Sequence, residues 1–196
     1  MKSFLKINKG FTLVELLASV IVLVAIGAVI IGIIASSLRG TNKTNNIENI
    51  RQNGNYVINQ MSKNIEYAQV FGGFSSIGEI YETSCSKSYT IPTPTPAIAT
   101  YKFIKVTPTS GNTIIYNCDG STLTATSALS GVTPLIDLNS LAVSNCSLTC
   151  TQPNSTDVPT IGISFTLGPK NQSTLAENNN SITFKTSIII RNYARQ

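Results

Sequence analysis

The hydrophobic pattern changes character near residue 39. From Phe11 to Leu38 almost every position is apolar, and 23 consecutive uncharged residues separate Glu15 from Arg39. Leu, Ile and Val dominate this run and proline is absent. As a helix it would reach about 35 Å, enough to cross the hydrocarbon core of a bilayer. Past Arg39 the pattern becomes periodic. Ile47, Ile50, Gly54, Val57, Met61, Ile65 and Ala68 recur at intervals of three or four, the signature of one helical face. Gly72-Gly73 reads as a stop. The spacing predicts one helix over 11–71, bent near Gly40, with a membrane or assembly half at 11–38 and an amphipathic half at 39–71.

Residues 72–196 have a different texture, with short β-branched runs between turn residues. Strands are predicted in 100–106 (TYKFIKV), 112–118, 140–150, 160–167 and 181–192. The first two form a hairpin across Ser110-Gly111. In the last, Phe184, Thr186, Ile188 and Ile190 share one face. The proline-rich 90–97 is an extended loop, and 168–181 is a polar loop. The expected product is an α+β fold: a long N-terminal helix packed on an antiparallel sheet of four to six strands.

Charge adds little. The formal net charge is +5, but Lys2, Lys6 and Lys9 precede the apolar run. Without them, eleven basic side chains face nine acidic ones. No basic stripe with interleaved aromatics occurs, so charge does not support nucleic acid as a partner. The lysines favour a cytoplasmic N-terminus with the rest of the chain exported.

Chemistry is sparse. The chain has no histidine, no G-x-S-x-G, no phosphate-binding glycine loop and no dense calcium loop. The expectation is a non-enzyme without cofactor or metal. Asp119-Gly120 reads as a turn. Cys85, Cys118, Cys146 and Cys150 all follow the apolar segment, and their even number without histidine points to disulfides and an oxidising compartment. Four cysteines allow three connectivities. The pairing expected here is Cys85 with Cys118 and Cys146 with Cys150.

Glu15 is the anomaly, since a carboxylate at the edge of a membrane span is costly unless held. A secretory signal peptide would have a shorter apolar run, and a plain anchor leaves the acid unexplained. The stretch Lys9-Gly10-Phe11-Thr12-Leu13-Val14-Glu15-Leu16-Leu17 resembles the processing site of type IV pilins and type II secretion pseudopilins. The shared pattern is a short basic leader ending in Gly, an aromatic residue after it, and Glu at the fifth mature position. The segments NYVINQMSKNIEYAQ and FKTSIIIRNY further resemble minor pilins and pseudopilins of the J or PilW-like kind.

The resemblance implies a leader over residues 1–10 and cleavage between Gly10 and Phe11 by a membrane-embedded prepilin peptidase. It also implies N-methylation of Phe11 and insertion into a filament through an inner-membrane assembly platform. In the family, the carboxylate corresponding to Glu15 meets the new N-terminal amine of a neighbouring subunit, so Phe11 and Glu15 would carry assembly. The implied partners are the membrane and other pilin-like subunits, in a homo- or hetero-filament. The precursor would sit in the cytoplasmic membrane and the product at the cell surface or in the periplasm. Ala18, Ala25, Ala28, Gly32 and Ala35 form a strip of small residues suited to close helix packing. Many major pilins carry a proline where this chain has Gly32. The expected function is a structural subunit of a type IV pilus or related filament, as a minor subunit. The alternatives are a pseudopilin of a secretion or DNA-uptake machine, and a membrane-anchored adhesive domain that never polymerises.

Overall fold

A computed structural model of the chain describes residues 11–85, 97–153, 157–171 and 179–191. The leader with Gly10, the proline-rich loop up to residue 96 and residues 172–178 of the polar loop lie outside the described residues. The fold is α+β. Among the described residues one helix, α1 (Leu13–Glu66), precedes nine strands: β1 (Val70–Ser75), β2 (Ala97–Tyr101), β3 (Phe103–Thr107), β4 (Ile114–Asp119), β5 (Thr122–Ser127), β6 (Gly131–Pro134), β7 (Leu141–Gln152), β8 (Thr160–Pro169) and β9 (Ile182–Ile189). The chain divides into two compact units, Met1–Thr44 and Asn45–Gln196.

The first unit is the apolar part of α1. Its best 18-residue window has a mean hydropathy of 3.1 and buries none of its surface, so it is long and apolar enough to cross a membrane. In the second unit, Ile50, Gly54, Val57, Met61 and Ile65 of α1 are buried, as their spacing predicts. Gly54 gives the closest approach. A Cβ there would collide with the ring of Phe184 on β9, which stacks on Phe165 of β8 at 5.5 Å.

Helix α1 ends at Glu66, short of the expected residue 71. Gly72 and Gly73 do not stop it; they lie inside β1, where the register shifts between Phe71 and Gly73 and Gly73 adopts φ +102°. The chain leaves the helix because Gln69 donates its N–H to Thr107 of β3 at 2.7 Å. The carbonyl of Glu66 is taken by the N–H of Arg191 at 3.0 Å, satisfying one of the acceptors every helix end exposes. The Arg191 side chain binds the Glu66 carboxylate at 2.7 Å and lies over the Tyr67 ring.

The β-region forms two antiparallel sheets, one of five strands in the order β1-β3-β4-β5-β6 and one of four in the order β2-β7-β8-β9. The stretch 100–106, expected as one strand, is split between them. Tyr101, Ile104 and Val106 are all buried, which a single alternating strand cannot achieve. The chain crosses from one sheet to the other at Lys102, whose N–H donates to Ser75 and whose carbonyl accepts from Cys118. The expected hairpin of 100–118 survives as β3 and β4.

The cysteine pairing differs from the expected one. The bonds are Cys85–Cys150 and Cys118–Cys146, with Cα separations of 5.7 and 5.2 Å. Cys146 and Cys150 cannot pair with each other because both lie on β7. Four extended residues put them about 13 Å apart, beyond the reach of a disulfide. Cys118 lies on β4, so the Cys118–Cys146 bond joins the two sheets. Beside it, Gly120 and Cys146 exchange backbone hydrogen bonds of 3.1 and 2.8 Å. Gly120 opens the tight β4–β5 turn at φ +58°, as the Asp119-Gly120 pair suggested.

Candidate functional site

The helix start is built by Thr12. Its hydroxyl and its carbonyl both accept from the Glu15 N–H, at 3.3 and 3.1 Å, and the carbonyl also accepts from Leu16. Thr12 is therefore an N-cap, and Glu15 stands three residues on, where acids favour the positive end of the helix dipole. The S/T-x-x-E spacing of Thr12 and Glu15 is the sequence signal for this cap, and it is missing from a reading that considers Glu15 alone. No hydrogen bond or ion pair holds the Glu15 carboxylate among the described residues. Among the described residues, Glu15 is thus held through its backbone N–H alone.

Around it, Phe11, Leu13 and Val14 are 75–79% exposed. Ala18, Ala25, Ala28, Gly32 and Ala35 are exposed too, and at 3.6 residues per turn they fall in a strip about 100° wide. A Cβ built on Gly32 meets open space. The absence of a side chain there answers to nothing within one chain. The structure thus places Glu15 and the small residues on one exposed apolar helical segment, with Phe11 just before its N-cap. Gly10 is outside the described residues.

The four cysteines belong elsewhere, in the core of the second unit. Among the described residues no three His, Cys, Asp or Glu side chains converge as metal ligands. Burial raises the Tyr116 phenol, an effect partly offset by the bond its hydroxyl accepts from Asn64 on α1 at 2.7 Å. Asp137 is lowered by the Ser140 hydroxyl and the Asn139 N–H that donate to it in a surface turn.

One open cleft, of 520 Å³, lies wholly in the second unit, between the last turns of α1 and β9. Ser62, Glu66, Thr186, Ser187, Ile188, Ile189 and Arg191 line it, and the Ser62 hydroxyl is buried without a partner. No periodicity in the sequence announces this cleft, because it depends on which strand ends at a sheet edge. No family model, curated protein or solved structure matches the chain.

Proposed function

We propose that this chain is a pilin-like structural subunit, processed before Phe11 and assembled as a minor component of a type IV pilus or related filament. The observation that carries this reading is the capped Glu15, without a carboxylate partner among the described residues, at the head of the exposed apolar segment of α1, four residues after Phe11. A carboxylate and an α-amine are each costly alone in an apolar setting, and a close pair between subunits offsets much of that cost. The exposed small-residue strip supports close approach of neighbouring helices, which lipid alone does not drive. The disulfide-bonded β-region supports export to an oxidising compartment.

Mass spectrometry of assembled material is expected to show a mature N-terminus at N-methyl-Phe11. An intact Met1 in that material would sink the proposal. Glu15→Ala is expected to insert into the membrane normally and to lose filament incorporation at least tenfold. Incorporation at the wild-type level would remove Glu15 from the mechanism. A non-polymerising anchor would be indifferent to the substitution.

A further inference from the structure

The four-stranded sheet has two edges, β2 and β9, and its registers relate them closely. Ile98 pairs with Thr151, Thr151 with Thr160, and Thr160 with Ile189, so Ile98 and Ile189 end the same cross-strand row. By the same pairings Ala99 shares a row with Ile188, Thr100 with Ser187, and Tyr101 with Thr186. The faces agree. Ile98, Thr100, Ser187 and Ile189 point outward, while Tyr101 and Ile188 are buried. Four antiparallel strands also make β2 and β9 run in opposite directions.

The cleft beside β9 is lined by Thr186, Ser187, Ile188 and Ile189. These are the four residues whose rows end on β2. Consecutive strand residues alternate between faces, so a cleft touching all four lies along the strand's backbone edge. β9 carries one device that blunts exposed edges, the outward Lys185, but it is neither bulged, nor very short, nor broken by proline. β1 is bulged and bridged to Glu82, and β6 is four residues long and ends in Pro134. β9 is eight residues in unbroken register with β8, with no proline.

We propose that β2 of a second copy of this chain adds to the edge of β9 that pairs with no strand among the described residues, continuing the four-stranded sheet from subunit to subunit. Continuing the sheet from one copy to the next sets the incoming β2 antiparallel to β9, in register row by row, with Ile98 of one copy opposite Ile189 of the next. The backbone of the incoming strand supplies the hydrogen-bonding groups that the β9 edge lacks. The contact is head-to-tail, so it stays open rather than closing at a dimer. Strand twist of about 20–25° per pair turns each copy by about 80–100° relative to the last. The contact rests on the assembly reading above. Four residue pairs fall well short of the roughly 1,200 Å² of a stable independent interface, so the N-terminal helices must first raise the local concentration.

The test is the full-length Ile98→Cys/Ile189→Cys double variant, recovered as assembled material from its native host and mildly oxidised. Both positions are exposed, at 67% and 60%, and all four native cysteines are already bonded. The expected result is a covalent ladder of dimers, trimers and longer chains. Each single variant should stay monomeric, because at about 4.8 Å per strand equivalent positions are roughly 19 Å apart. The diagonal pair Ile98→Cys/Ser187→Cys should cross-link several-fold less. If the double variant fails to assemble, Thr100→Cys/Ser187→Cys in the adjacent row repeats the test. Assembled filaments without a ladder would overturn strand addition and leave the assembly reading intact. Dimers from a single variant would overturn it in favour of a self-complementary edge contact. A ladder that persists where Glu15→Ala has abolished filaments would overturn its dependence on assembly.

Discussion

Tyr116 shows how one residue ties sequence to stability. Its ring is fully buried on β4 and its hydroxyl accepts from Asn64 on α1, so it joins helix to sheet across the core. Tyr116→Phe leaves the Asn64 amide unpartnered and is expected to cost about 1 kcal/mol in denaturant unfolding. The folded state holds the phenolic proton more tightly than the unfolded one, whose value is 10.0. Stability from this residue is therefore complete below pH 10 and declines as pH rises through 10 toward the folded value. Tyr116→Phe should flatten that alkaline decline only in part, because burial also raises Tyr81 and Tyr101. Gly54 is the complementary case. Gly54→Ala drives a methyl into the Phe184 ring and is expected to cost about 1–3 kcal/mol. Phe184→Leu should recover part of that loss in the double variant. The stripe containing Gly54 was legible from its 3.6-residue spacing. That a glycine there faces an aromatic ring was not, because the ring lies 130 residues away.

Among the elements, β7 shows what pattern reading misses. Its extent was nearly right, at 140–150 against Leu141–Gln152. Its alternation, however, breaks phase. Leu141 and Val143 face inward, Ser144 and Asn145 are exposed, and Cys146, Leu148, Cys150 and Gln152 face inward again. The register shift between Ser144 and Ser147 inserts one residue, and Asn145 takes φ 53°. This phase change turns both β7 cysteines inward to partners on other elements. The expected pairing assumed proximity in sequence and ignored strand geometry. Asn145→Gly should leave stability within about 0.5 kcal/mol, whereas Asn145→Val is expected to lose about 1–2 kcal/mol. Thermal unfolding of the two variants checks the difference. The early end of α1 has a similar cause. Local helix propensity carries no information about Thr107, whose carbonyl draws Gln69 into the sheet.

For the whole molecule, fold class and the long apolar helix were the most legible features, because each is written in a contiguous stretch. The division into two sheets and the place of β9 at a sheet edge were not, since both arise from pairings between distant strands. Both disulfides share one anchor, with Cys146 and Cys150 on β7. The Cys118–Cys146 loop is nested within the Cys85–Cys150 loop. This nesting decides where tension on the chain can go. When the chain is pulled from its ends, a load reaching Cys85 passes through sulfur to Cys150 and bypasses everything between them. The two residues are 65 apart in sequence, so about 220 Å of contour length is hidden from extension at roughly 3.4 Å per residue. Single-molecule force spectroscopy should record that extra length only after a reductant is added, so a stretched subunit would lengthen chiefly through its N-terminal helix and its last strands.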